Sequence, residues 1–184
     1  TLVIGATTVM TDVAADPLVR RHAPALAEAA AVVGSVQIRN RATLAGNVCN
    51  ASPAADTVPA LLVHGAVVLV AGPDGTRRIP VDDLFVRSGV TTLLRGELVT
   101  AIELPLPTER IASAHERRTR RRGHDLASVT VTCGVDATGT TRIAYGSVGP
   151  RPLLRSDLTG VLADPASSEA ARAAVFETIF ADAS

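Results

Sequence analysis

The chain has no lysine and no tryptophan, and its aromatic residues are limited to Phe85, Tyr145, Phe176 and Phe180. With aromatics at 2% of residues, it lacks the ring platform on which nucleic-acid bases stack. All 18 basic residues are arginines, balanced by 18 acids to a formal net charge of zero. That balance gives no global field to attract a polyanion or an anionic bilayer. Cysteine is scarce too: Cys49 and Cys133 stand far apart, without the clustered spacing of a zinc or iron–sulfur site, and read as buried thiols. No apolar run approaches the roughly 20 residues needed to cross a bilayer, and the first residues lack the basic-then-apolar profile of a secretion signal. These absences lead to the expectation of a cytoplasmic chain without membrane insertion.

What is present suffices for a core. At 184 residues, 47% hydrophobic and 20% charged, the chain fits one large domain or two small ones. Leu2-Val3-Ile4-Gly5 reads as a strand, and Thr7-Thr8 before Val9-Met10 as a helix start. Pro24 opens a clearer helix with Leu26, Ala29, Ala30 and Val33 on one face and Gly34 at its end. Val67–Val70, the turn Gly72-Pro73-Asp74-Gly75 and Thr76–Pro80 predict a β-hairpin. A further strand runs from Leu98 to Leu104, where Pro105 and Pro107 stop it and mark a domain boundary. Beyond it, Val129, Val131, Cys133 and Val135 alternate with Thr130, Thr132 and Gly134, as in a strand with one buried face. The turn Asp136–Gly139 leads back into Arg142–Gly146 as its antiparallel partner. A last helix is expected with Asp164 as cap, burying Ala171, Ala174, Val175 and Ile179. The fold class is α+β.

The chemistry concentrates in Thr43-Leu44-Ala45-Gly46-Asn47 and Asn50-Ala51-Ser52-Pro53-Ala54-Ala55-Asp56. A turn of small residues lets backbone N–H groups approach a ligand phosphate closely. Asp56 stands at the start of Val58–His64, where it either caps a helix or accepts hydrogen bonds from sugar hydroxyls. Both readings stand on the residues alone. Arg117-Arg118-Thr119-Arg120-Arg121-Arg122 reads as a solvated or protein-docking face, since no nucleic-acid recognition motif accompanies it. His22, His64, His115 and His124 form no metal-binding pair at helical spacing, and no serine or cysteine sits in a nucleophile-elbow sequence. Catalysis by this chain therefore calls for a cofactor to carry the chemistry.

Pro24–Ala30, Val36–Asn47 and Ala51–Asp56 together resemble the FAD-binding medium subunit of molybdenum hydroxylases. That family includes the flavin subunits of xanthine dehydrogenases and aerobic carbon monoxide dehydrogenases. Ile102-Glu103-Leu104-Pro105, Gly123-His124-Asp125-Leu126-Ala127 and Val129–Gly134 also fit, so the resemblance covers nearly the whole chain. It implies that residues 1–107 form the second lobe of a two-lobed, PCMH-type FAD-binding domain. Residues 108–184 would then match the family's C-terminal flavoprotein domain. Both ends are expected to be truncated, with the first lobe and its second glycine-rich turn missing.

The resemblance also implies site roles. Thr43, Leu44, Ala45, Gly46 and Asn47 would hold the flavin diphosphate, with Ala45 where a second glycine is usual. The added methyl matters if position 45 needs a positive φ or close phosphate approach. Asp56 would accept hydrogen bonds from the cofactor's hydroxylated chain, with Ser52 and Asn50 as nearby donors. Leu98 or Val99 would supply an apolar flavin-edge contact, and Val99 is taken as that residue. His115 and Arg117 replace a usual aromatic and lysine; Arg117 keeps the charge in a different geometry. The implied function is electron transfer from a partner's iron–sulfur centres through FAD to NAD, oxygen or a quinone. The implied partners are an iron–sulfur small subunit and a molybdenum-cofactor large subunit. The rival readings are a scaffold piece that docks those partners without holding FAD by itself, and a stand-alone flavoenzyme.

Overall fold

A computed structural model describes residues 1–106, 111–121 and 125–181. The expected boundary at Pro107, and Arg122, Gly123 and His124, lie outside the described residues.

The chain opens with β1 (Leu2–Gly5) and six helices: α1 (Met10–Ala15), α2 (Pro17–His22), α3 (Pro24–Val32), α4 (Val36–Arg39), α5 (Leu44–Cys49) and α6 (Thr57–Val63). The hairpin β2 (Val67–Gly72) and β3 (Gly75–Pro80) follows, then α7 (Val81–Leu84), β4 (Phe85–Arg87), β5 (Val90–Thr91) and β6 (Leu98–Leu104). The remainder is β7 (Ala112–Thr119), β8 (Ala127–Val135), β9 (Thr141–Gly146), β10 (Leu153–Asp157) and α8 (Glu169–Phe180).

Two antiparallel four-stranded sheets result, in the orders β1-β6-β2-β3 and β10-β9-β8-β7, with β4 and β5 as a separate pair. The hairpin register follows its turn, with Gly72 opposite Gly75 and Val68 opposite Ile79. Gly75 adopts φ +112°, a conformation that glycine reaches without Cβ strain. In the second hairpin, Asp136 accepts from the backbone N–H groups of Thr138 and Thr140 and fixes the return from Val135 to Thr141.

The core sits between the sheets. Every residue of α6 is buried, as are Ala25, Leu26, Ala27, Ala29 and Ala30 of α3. Full burial of an aliphatic side chain such as Leu61 or Leu62 contributes about 1.5–3 kcal/mol. Both helices pack on the second sheet, α3 against β7 and α6 against β8 and β9. The alanines of α3 and the small residues of β8 permit that close approach. The buried face of β8 is its threonine–glycine face: Thr130 and Thr132 are fully buried, whereas Val131 is 38% exposed. A Cβ on Gly134 would stand 2.4 Å from Val63 Cγ1, which shows how near α6 lies.

Helix ends depart from the sequence reading at two places. Helix α1 has Val9 as N-cap with no side-chain cap bond, so neither threonine caps it. Helix α8 is capped by Ser168, whose hydroxyl accepts from Ala171 N–H; Asp164 instead accepts from Ala166 N–H in the preceding turn. None of the α8 residues is fully buried, and Ala174 is exposed.

Candidate cofactor site

The small-residue segment is a helix start rather than a turn. Thr43 is the N-cap of α5, its hydroxyl accepting from Gly46 N–H at 3.0 Å. Leu44 N–H donates to Thr8 O at 3.1 Å, which ties α5 to the segment after β1. Burial of Leu44, Ala45 and Val48 holds this short helix in place despite its glycine and asparagine. Ala45 is not in the left-handed region; among the described residues, the non-glycine residues there are Ala51 and Ser147. The methyl at position 45 thus meets no backbone penalty. Asn47 Oδ1 accepts from the Thr57 hydroxyl at 2.7 Å, joining α5 to the first turn of α6.

Asp56 precedes α6 with helical backbone angles, and its side chain makes no cap bond. Of the two readings of Asp56, the cap gives way. Its Oδ2 instead accepts from Arg117 Nη1 at 2.9 Å, across 61 residues of sequence. Asp56 Oδ1 is buried with no hydrogen-bond partner. Burial pushes this carboxyl above its usual range, outweighing the charge and hydrogen bond of Arg117 that act to lower it.

Arg117 lies on β7 and gathers three segments. Besides Asp56, its Nη1 donates to Val32 O at the end of α3 at 3.0 Å, and its Nη2 donates to Asp125 O at 3.2 Å. The neighbouring wall is set by Arg39, which donates to Val33 O and Gly34 O. These contacts frame a cleft of about 200 Å³. Asn47, Asn50, Ser52, Asp56 and Arg117 supply its polar lining, while Val33, Ile38 and Leu126 form an apolar border. Ser52 accepts from Ala54 N–H at 3.2 Å, shaping the loop into α6.

The structure therefore brings together Asn47, Ser52, Asp56 and Arg117, with Thr43, Leu44, Ala45 and Gly46 on the helix that presents Asn47. Val99 lies elsewhere: on β6 it pairs with Val70 of β2 and packs against the core, while Leu98 beside it is 73% exposed. His115 faces α3 and β8 and does not line the cleft. Its Nδ1 bonds the Thr132 hydroxyl at 2.9 Å, and its backbone N–H donates to Glu28 Oε2 at 2.8 Å. Burial lowers its imidazole to about 4; Glu116 opposes that shift and Arg117 adds to it. A second buried imidazole, His64, bonds Ser113 Oγ through Nε2 at 3.0 Å and is likewise lowered to about 4, by burial and then by Arg142. The carbonyls of Val32 and Asp125 escape sequence reasoning because a backbone acceptor carries no residue signature.

The cleft fits a ligand with both hydroxyl and ring character. A hydroxyl donor satisfies the buried Asp56 Oδ1, whose unpaired state is costly. The positive charge of Arg117 is already committed to Asp56. The apolar border suits a flat ring, as in mixed apolar and polar cofactor pockets. FAD carries both chemical elements.

Among the described residues, no group of three or more His, Cys, Asp or Glu side chains is placed to hold a metal ion. Among them, no helix is long and apolar enough to cross a membrane.

Residues 1–107 match the family described as the FAD binding domain in molybdopterin dehydrogenase. The chain is 32% identical over 155 residues to the xanthine dehydrogenase FAD-binding subunit of Escherichia coli O157:H7, covering 82% of this chain and 53% of the relative. It is 33% identical over 159 residues to the carbon monoxide dehydrogenase medium chain of Hydrogenophaga pseudoflava, covering 84% and 55%. The solved carbon monoxide dehydrogenase of Hydrogenophaga pseudoflava superposes with a TM-score of 0.77 at 32% identity, over 83% of this chain and 54% of that one. Quinoline 2-oxidoreductase from Pseudomonas putida 86 gives 0.73 at 28% identity, over 83% and 54%. The chain spans about half the length of the curated relatives it matches. With a match over residues 1–107 of 184, it belongs to the family of FAD-binding domains of molybdopterin dehydrogenases.

Proposed function

We propose that this chain is part of the FAD-binding, electron-transferring subunit of a molybdenum hydroxylase. The observation that carries the reading is the cleft in which Asp56 keeps one buried carboxylate oxygen unpaired beside Arg117. In this account Asp56 accepts from hydroxyls of the cofactor's sugar chain, and Asn47 and Ser52 offer further polar contacts. Thr43, Leu44, Ala45 and Gly46 provide the helix start next to the diphosphate. Arg117 opposes the burial that raises the Asp56 carboxyl and fixes the walls around it, while Val33, Ile38 and Leu126 give the ring an apolar border. Val99 is proposed as a flavin-edge residue on the resemblance alone.

FAD, when bound, supplies the step between a partner's iron–sulfur centres and a final acceptor, which we take to be NAD, oxygen or a quinone. The proposed partners are an iron–sulfur small subunit and a molybdenum-bearing large subunit, and the proposed location is the cytoplasm. The likeness to the Hydrogenophaga pseudoflava carbon monoxide dehydrogenase, an enzyme of the molybdenum cofactor solved in a form lacking its Mo-pyranopterin moiety, supports the molybdenum-bearing partner. We further propose a division into residues 1–107 and 108–184, in keeping with the change from one four-stranded sheet to the other between β6 and β7.

The test is assembly with an iron–sulfur small subunit and a molybdenum-bearing large subunit of this family. A complex in which substrate bleaches the visible flavin absorbance supports the proposal. Asp56→Ala should assemble with its flavin content reduced. A complex that forms and turns over with no flavin would assign the chain to the scaffold reading.

A further inference from the structure

Two backbone contacts outside the cleft hold the loop that forms its floor. Ser147 N–H, just beyond β9, donates to Pro53 O at 2.8 Å, and Gly89 N–H donates to Ala51 O at 2.9 Å. Ala51 (φ +48°) and Ser147 (φ +68°) are also the described non-glycine residues in the left-handed region. Such strain persists only where the surroundings enforce it. Here it coincides with both anchors of the segment leading to Asp56.

Gly146 makes the approach possible. A Cβ at Gly146 would stand 2.8 Å from Pro53 O and 2.7 Å from Thr130 Oγ1, with Pro59 Cγ at 3.6 Å. Thr130 is fully buried and Pro53 O is engaged by Ser147, so relieving the clash moves the loop. Three residues further on, Asp56 is gripped by Arg117 from β7 of the same sheet. The second sheet thus holds the loop at both ends, Pro53 through the end of β9 and Asp56 through β7. Neither Gly146 nor Ser147 lines the cleft.

We infer that Gly146 and Ser147 are positioning residues for the cofactor cleft, acting through Pro53 to set where the Asp56 carboxylate stands. The inference rests on the reading that the cleft holds FAD. A methyl at position 146 displaces Pro53, and the displacement passes through Ala54 and Ala55 to the acceptor oxygen. Small misplacements of a positioned group cost binding and catalysis steeply.

The test compares Gly146→Ala with Gly134→Ala, a substitution that crowds Val63 at 2.4 Å away from this loop. Both should lower thermal stability. Gly146→Ala alone should weaken FAD binding, by about tenfold in a fluorescence titration, while Gly134→Ala stays within about twofold of wild type. Amide hydrogen exchange supplies a readout that needs no cofactor: Ala54 and Ala55 should exchange faster in Gly146→Ala, with Val68 in β2 unchanged. Should Gly146→Ala fail to fold, FAD added to the wild-type chain should still slow exchange at the Ser147 amide. Tight FAD binding by Gly146→Ala, equal losses in both variants, or a Ser147 amide indifferent to bound FAD overturns the inference and leaves the FAD reading intact. A wild-type chain that ignores FAD overturns that reading, while Ala54 and Ala55 still report on the clamp.

Discussion

Replacing Arg117 with Met removes the partner of a buried carboxylate and preserves much of the arginine stem's volume. The side chains of Arg117 and Asp56 are 15% and 10% exposed, so water screens the pair little. Breaking a buried pair by deleting one partner costs about 3–5 kcal/mol in general. The bonds to Val32 O and Asp125 O go as well. The loss is limited because Asp56, already raised by burial, can take up a proton once Arg117 no longer opposes it. We expect about 2–3 kcal/mol at pH 8, which in a chain of this length lowers Tm by about 4–12 °C.

The sign with pH follows from the raised carboxyl. Where its folded value lies above its ordinary 3.8, the folded state holds the proton more tightly, so stability falls as pH climbs through that window. Arg117→Met should therefore cost less at pH 5 than at pH 8 in parallel denaturant titrations. In an Asp56→Asn background the same substitution should cost only the two carbonyl bonds, about 1–2 kcal/mol. A loss equal at both pH values and undiminished in that background would refute the account of the pair.

Three further outcomes follow. Ala45→Gly should destabilise the chain by about 1 kcal/mol in thermal melts, since position 45 is helical and needs no positive φ; unchanged stability with tighter FAD would contradict this. His64 and His115 are both lowered to about 4 from 6.5, so the stability tied to their neutral forms is present above 6.5 and lost as pH falls toward 4. His64→Gln should flatten the fall in urea midpoint across that window, and an unaltered slope would remove His64 from it. Glu28→Gln should retain stability to within about 1 kcal/mol, because the amide oxygen can still accept from His115 N–H on the free side of β7; a loss well beyond that would mean the charge itself holds α3 against the strand.

Local chemistry made much of this fold legible. The strand Leu98–Leu104 ends where Pro105 removes a donor, and the β2–β3 hairpin turns on Gly72 and Gly75 as its sequence predicts. Where tertiary burial overrules local preference, the reading fails. Gly46 and Asn47 suggest a turn, but the buried Leu44, Ala45 and Val48 make a helix. The alternation in β8 is visible, yet the face that packs on α6 is the threonine face, a choice fixed by how closely the helix approaches.

The site divides in the same way. Asp56 stands out by residue type and place, and the resemblance pointed to Arg117 with a role of its own. Their direct bond spans 61 residues and carries no local signal. Nor does sequence reveal that the Asp56 side chain leaves its helix end uncapped, because an aspartate at a helix start has the same appearance in either role. The clamp by Gly146 and Ser147 is equally silent, since it consists of a missing Cβ and one backbone N–H.

The central claim is that the cleft around Asp56 and Arg117 holds FAD. The most direct test is a titration of this chain with FAD, followed by flavin fluorescence, alongside Asp56→Ala, with circular dichroism to verify that both are folded. Saturable quenching is expected in the wild type and markedly weaker binding in the variant, with superimposable spectra. A folded wild-type chain that shows no saturable binding, or a variant that binds as tightly, would contradict it.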